Sequence, residues 1–293
     1  MTHQELTAAL SAAGVLPESW AGTFAAVDRG RFIPARAWFD DEHGHPQPLD
    51  QERDPERWRA AVYSDEPIVT QLDDGATVWP ATSNAATSSA SQPSMVLTML
   101  DALEVRDGHR VLEIGTGTGY TAALLAHRLG AHSVTSVEID PAAAEQARVN
   151  LTAAGYPPPV VCADGTAGWA PTAPYDRILA TAAVLAGQLP YAWVEQTRPG
   201  GLLVTPWGTA YHNGALVRPT CNAAGTLRTT AATRCCSTTC RPTPRPVSTS
   251  PPRPRPAGFT GSARMDPASS GTRSSTPTAG GSGTAGPPAP ATA

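Results

Sequence analysis

Leu6 and Leu10 stand one helical turn apart with Gly14 as a stop, and Trp20, Phe24 and Val27 then recur at i, i+4 and i+7. These spacings predict two amphipathic helices at the start of the chain. Arg29-Gly30-Arg31-Phe32-Ile33-Pro34 reads as the exit from the second helix, with two solvated arginines. The apolar pattern then lapses from about 35 to 59, returns at Trp58, Val62 and Tyr63, and gives one short strand at Ile68-Val69-Thr70. Residues 73–91 are small and hydroxylated and read as a loop. Pro93 suits the first turn of a helix with Ser91 or Gln92 in the capping region, and Met95, Val96, Met99, Leu100 and Leu103 supply its buried stripe.

From residue 111 the pattern becomes regular. Apolar runs of strand character at 111–114, 134–140, 159–165, 175–182, 201–207 and 214–218 alternate with helical stretches, two of which begin at Thr121 and at Asp140-Pro141. This alternation predicts an α/β fold, a doubly wound Rossmann-like sheet with helices on both faces, preceded by a small helical N-terminal region. We divide the chain into 1–90 (N-terminal region and lid), 91–226 (core) and 227–293 (tail).

Composition changes the picture mainly in that tail. Beyond Arg228 the only large aliphatic or aromatic residues are Val247, Phe259 and Met265. Such a segment cannot bury enough apolar surface to offset chain entropy. The change is abrupt, and we read it as a shifted reading frame in GC-rich DNA that removes the last sheet strand; a natural disordered tail is the plainer alternative. All 21 Lys and Arg positions are arginine, and the formal charge of −4 gives no electrostatic case for nucleic acid or a bare anionic membrane. The N-terminus lacks the basic start and apolar run of a signal peptide and no run reaches membrane-spanning length, so the expected location is cytoplasmic. No metal is expected. Cys235, Cys236 and Cys240 lack a partner pair for zinc, and Asp40, Asp41, Glu42, His43 and His45 read as solvated surface.

The chemistry gathers at Val111-Leu112-Glu113-Ile114-Gly115-Thr116-Gly117-Thr118-Gly119-Tyr120. A strand ends in three glycines at alternate positions and a helix follows, so backbone N–H groups can approach a ligand closely. The spacing is neither the G-x-G-x-x-G of dinucleotide sites nor a P-loop, which needs a lysine. Glu113 puts a carboxylate beside the loop, which suits a ligand bearing an ammonium or sulfonium group and repels a pyrophosphate. Glu138 lies about twenty residues beyond the glycines at a strand's C-terminal end, where α/β folds place the acid that accepts from a ribose. Asp164-Gly165 ends the next strand, and its carboxylate can accept from an adenine amino group across the same crevice. A glycine-rich turn without a ligand is the bland alternative.

With Tyr175-Asp176-Arg177-Ile178, these motifs resemble class I S-adenosylmethionine-dependent methyltransferases. Ser91-Gln92-Pro93, Pro199-Gly200-Gly201, Arg31-Phe32-Ile33-Pro34 and Tyr63-Ser64-Asp65 further resemble the protein-L-isoaspartate O-methyltransferase family, over roughly 20–218. The resemblance implies S-adenosylmethionine as cofactor, with Glu113, Gly115, Thr116, Gly117 and Gly119 at its methionine end, Glu138 on the ribose and Asp164 on the adenine. Ile139 and Gly165 belong to the same implied cofactor-binding set. It also implies a lid of Ser88, Ser89 and Gln92 around Ser91, whose hydroxyl would touch the carboxylate to be methylated and which is the expected catalytic residue. Ser89-Ala90-Ser91 stands where the family commonly has Thr-Ile-Ser, which bears on lid packing more than on the hydroxyl. The implied substrate is a protein or peptide carboxylate of isoaspartate or aspartate, giving a methyl ester that can cyclise to succinimide. Damage repair and the tailoring of a modified peptide both fit; a small-molecule methyltransferase and an inactive cofactor-binding remnant are the alternatives.

Overall fold

The computed structural model of the chain describes residues 1–208, 213–222 and 224–234. The expected helices α1 (His3–Ala12) and α2 (Glu18–Ala26) form, α1 beginning at Thr2, whose hydroxyl accepts from the Glu5 amide while Glu5 reaches back to the Thr2 amide. The segment that reads as polar loop holds more structure than its pattern shows. It contains β1 (Arg36–Asp40), β2 (Pro46–Asp50) and α3 (Pro55–Val62), and it leads into β3 (Ile68–Leu72) and β4 (Ala86–Ala90). These strands form an antiparallel sheet in the order β2-β1-β3-β4. Two prolines disguise β2, yet as an edge strand it tolerates them, and Leu49 is buried beneath it with Ala37, Trp58, Val62, Ile68 and Ala90. β4 is also an edge strand and buries only Ala90, so its sequence carries no apolar alternation. The acidic and histidine cluster is the tip of the β1–β2 hairpin, where the Asp41 carboxylate accepts from the His43 and His45 amides.

The core follows the predicted order. It comprises α4 (Pro93–Leu103), β5 (Val111–Ile114), α5 (Tyr120–Leu129), β6 (Val134–Glu138), α6 (Pro141–Ala154), β7 (Val160–Cys162), β8 (Tyr175–Ala180), β9 (Val184–Leu185), α7 (Tyr191–Glu195), β10 (Thr197–Gly208), β11 (Asn213–Cys221) and β12 (Leu227–Arg234). The large sheet runs β12-β11-β10-β8-β5-β6-β7, with β9 paired to β10. Strands β5 to β8 and β10 are parallel, while β11 and β12 are antiparallel additions. Consecutive residues point to opposite faces: Val111, Leu179 and Val204 pack with α1, α2, α4, α5 and α6, and Leu112, Ile178 and Leu203 pack with Trp193 of α7. The doubly wound arrangement is therefore present, with one face far more heavily covered.

Strand β12 extends the sheet past the boundary that composition places at 226. Leu227-Arg228-Thr229-Thr230 and the residues after it have no apolar stripe, but Thr suits an edge strand, and the register Cys221↔Leu227 to Ala215↔Arg234 gives β11 an antiparallel neighbour. The rest of the compositional tail, and the frameshift reading attached to it, lie outside the described residues. No described helix is long and apolar enough to cross a membrane.

Candidate functional site

Parallel pairing of β5 with β6 brings the glycine loop and Glu138 to one end of the sheet. Gly115 has φ +92°, and a Cβ there would stand 2.6 Å from Thr181 Oγ1. That hydroxyl donates to the Gly115 carbonyl at 2.6 Å and so clamps the loop from the end of β8. Gly117, at φ +53°, differs: a Cβ there would meet Ser89 O at 3.8 Å and Ser88 Oγ at 3.9 Å, in ordinary van der Waals contact. Ser88 and Ser89 of β4 thus lie directly opposite the glycine loop. Gly119 caps α5 in the left-handed conformation.

Glu138 is buried, and its carboxylate gathers three backbone donors: Gly117 N at 2.8 Å on Oε2, and Ile139 N at 2.9 Å and Asp140 N at 3.1 Å on Oε1. Oε1 thus has both its acceptor sites filled, and Oε2 keeps one for a further donor. Ile139 beside it is 51% exposed, an apolar surface at the rim of the crevice. One strand over, Cys162 is in register with Glu138, and two residues later Asp164 caps a short turn by accepting from Thr166 N at 2.9 Å. Trp193 Nε1 donates to the Gly165 carbonyl at 2.7 Å and holds that loop.

Glu113 sits deeper than its sequence position suggests. It is fully buried below the loop, where Ser136 Oγ donates to its Oε2 and Thr116 Oγ1 lies 2.6 Å from Ser136 Oγ. Its Oε1 is buried without a partner among the described residues. Burial pushes its pKa up to about 8, against the Ser136 hydrogen bond and with the help of Glu138. An acid raised in the fold is bound to its proton where the unfolded chain has released it, so its contribution to stability is complete below about 4.5, declines as pH rises, and is gone above about 8. We expect the stability of the wild type to fall more between pH 5 and pH 8.5 than that of Glu113→Gln, as urea denaturation at the two pH values will show. Parallel behaviour would contradict the assignment.

Ser91 is half-buried at the junction of β4 and α4, but it does not cap the helix as its sequence position suggests. Gln92 occupies the cap without a side-chain bond, and Asp65 instead accepts from Ser94 N at 2.7 Å, reaching across from the turn after α3. Gln92 Nε2 donates to the same carboxylate at 3.4 Å. Among the described residues nothing hydrogen-bonds the Ser91 hydroxyl, which leaves it available.

The residue that organises this corner is Arg29, which reads as solvated in the sequence and is 0% exposed in the structure. Its Nη1 donates to the carbonyls of Val62 at 2.7 Å and Ser64 at 3.2 Å, and its Nη2 to those of Glu66 at 2.9 Å, Ala90 at 3.4 Å and Ser91 at 3.1 Å. Burial lowers its pKa to about 10, so it stays charged at neutral pH. Thr181, at a strand's C-terminal end, was findable by the rule that such ends face the ligand; Arg29 and Ser136 carry no comparable signal.

The residues present fit S-adenosylmethionine. Glu138 keeps one acceptor site on Oε2 for a ribose hydroxyl, and Glu113 holds an unpartnered oxygen beneath the glycine loop.

A sequence model of the protein-L-isoaspartate(D-aspartate) O-methyltransferase family matches residues 51–236, a span that includes β12. A protein-L-isoaspartate O-methyltransferase of Archaeoglobus fulgidus is 42% identical over 156 residues, 53% of this chain and 65% of its own. One of Methanoculleus marisnigri is 42% identical over 155 residues, 53% of this chain and 62% of its own. The aligned region thus spans just under two thirds of the length of these relatives. A solved protein-L-isoaspartate O-methyltransferase is similar with a TM-score of 0.59 at 25% identity, over 80% of this chain and 64% of that one. A Plasmodium falciparum structure, in complex with S-adenosyl-L-homocysteine, shares the fold at 17% identity with a TM-score of 0.57, over 80% of this chain and 95% of its own. By the extent of the family match, the chain belongs to the protein-L-isoaspartate(D-aspartate) O-methyltransferase family.

Proposed function

We propose that the protein transfers a methyl group from S-adenosylmethionine to a carboxylate of an isoaspartyl or aspartyl residue in a protein or peptide. The observation that carries this reading is the apposition of the serine-bearing strand β4 to the glycine loop, within a chain of this family. When bound, the cofactor supplies a methyl already activated by the sulfonium. Gly115, Thr116, Gly117 and Gly119 would form the floor of its methionine end with Glu113 beneath, Glu138 would accept from its ribose, Ile139 would cover the base, and Asp164 with Gly165 would flank its amino group.

A substrate carboxylate has a pKa near ~4 and arrives ionised, so no general base is required. The remaining tasks are to hold one oxygen in line at roughly 3 Å and to keep water out. The Ser91 hydroxyl suits the first as a donor to the carboxylate, and Ser88, Ser89 and Gln92 suit the second as the lid around it. Forming the ester oxygen–carbon bond needs no proton transfer, which agrees with a crevice whose named residues include neither histidine nor lysine.

The test is incubation with methyl-labelled cofactor and matched peptides containing isoaspartate or ordinary aspartate. Label that enters the isoaspartyl peptide and leaves as methanol in mild base is the expected result. Label in the aspartyl peptide alone would indicate peptide tailoring, and alkali-stable label would defeat carboxyl transfer altogether.

A further inference from the structure

A glutamine outside every implied motif joins the lid hairpin to the cofactor crevice. Gln71 on β3 donates through Nε2 to Asp140 Oδ2 at 2.7 Å, across 69 residues of sequence. A carboxylate only accepts, so the amide nitrogen faces Asp140 and the Gln71 oxygen is left to accept from Thr87 Oγ1 on β4, at 2.9 Å. Thr87 Oγ1 in turn accepts from Asp74 N at 3.0 Å, in a turn where Asp73 and Asp74 both hold positive φ, at 50° and 51°. On the other side, Asp140 Oδ1 caps α6 by accepting from Ala142 N at 2.7 Å and Ala143 N at 3.0 Å, and the Asp140 amide donates to Glu138. One hydrogen-bonded line therefore runs from the strained turn, through β4 and β3, to the acid at the end of β6.

We propose that Gln71 is a positioning residue that fastens the β3–β4 hairpin over the cofactor crevice, holding Ser88 and Ser89 opposite Gly117. The two oxygens of Asp140 divide the work: one serves the helix, the other the lid. Side chains at 70 and 88 hold the hairpin together internally, Thr70 Oγ1 donating to Ser88 Oγ at 3.2 Å, so a hold on β3 carries β4 with it. The consequence for turnover rests on the methyl-transfer reading above, while the fastening itself does not.

The division of labour at Asp140 supplies a polarity swap as the test. Gln71→Glu keeps the acceptor for Thr87 but sets a carboxylate against Asp140, and amide hydrogen exchange at 86–90 in the full chain at pH 7.5 is expected to quicken about tenfold, the scale of one charge-assisted hydrogen bond. Adding Asp140→Asn reverses the polarity. Asparagine caps a helix as well as aspartate does, its oxygen can stay on Ala142 and Ala143, and its nitrogen then donates to the new carboxylate. Exchange in the double variant is expected to return to within about threefold of wild type. In the isoaspartyl-peptide assay the single variant is expected to lose kcat more than it raises KM, with recovery in the double variant. Unchanged exchange in Gln71→Glu, or a loss that the second substitution fails to restore, would overturn the proposal. If exchange follows the swap while no variant methylates any peptide, the fastening stands and the methyl-transfer reading fails.

Discussion

Glu138→Gln is expected to lower stability by about 2 kcal/mol and the affinity for S-adenosylmethionine by about a hundredfold, although it changes no volume. The wild-type carboxylate is acceptor-only on both oxygens, and both are engaged: Oε2 by Gly117 N and Oε1 by Ile139 N and Asp140 N. A glutamine side chain can satisfy one of these sides and must then point its own N–H₂ at the donors on the other. A buried donor facing a donor costs roughly 1–3 kcal/mol, and the charge assistance of the remaining bonds is lost as well. On the proposed reading the cofactor loses more, because the ribose hydroxyl that Oε2 would accept from meets a neutral, half-reversed group in place of a carboxylate. Urea denaturation reads the first effect and titration calorimetry the second. A variant that binds the cofactor as tightly as wild type would remove Glu138 from the site.

What the sequence showed of this site, and what it hid, follows from the range of the interactions involved. The glycine loop is legible because strand, turn and helix are contiguous, and Glu138 because a strand's end is fixed by its own apolar pattern. Asp164 follows from Glu138 once β6 and β7 are parallel neighbours. Arg29 is not legible, because a cation bonded to five carbonyls of 62–91 leaves no mark on its neighbours, and Arg29-Gly30-Arg31 has the composition of an exposed turn. Gln71 and Asp65 act through partners 69 and 29 residues away. The four-stranded N-terminal sheet escaped for a different reason: its two edge strands are disguised, one by prolines at 46 and 48 and the other by Ala86-Thr87-Ser88-Ser89-Ala90, which has one buried side chain and small residues throughout. Family resemblance filled part of this gap by pointing to Ser91, yet it implied nothing about what holds Ser91 in place.

Arg29→Met is expected to be the most damaging single change, costing about 3 kcal/mol or more and loosening the lid even where the protein still folds. Methionine fills much of the space, so cavity formation is not the main loss. The loss is of donors. The carbonyls of Val62, Ser64 and Glu66 belong to the end of α3 and the turn that leads to β3, and those of Ala90 and Ser91 to the end of β4 and the residue after it. One planar guanidinium spans both groups, and it is the fork geometry, with two Nη atoms each carrying two hydrogens, that permits it. Burying that charge without a carboxylate in contact is itself costly, as the lowered pKa of about 10 records, so the site is not one where any cation would be retained for stability alone. Arg29→Lys tests the geometry separately from the charge. An ammonium has three donors on one atom and can serve one group of carbonyls or the other, so we expect it to recover less than half of the lost stability and little of the methyl transfer. Equal stability and turnover in the lysine variant would mean that charge alone suffices. Recovery of stability without turnover would identify the span from Glu66 to Ser91, rather than burial of a cation, as the contribution Arg29 makes to the lid.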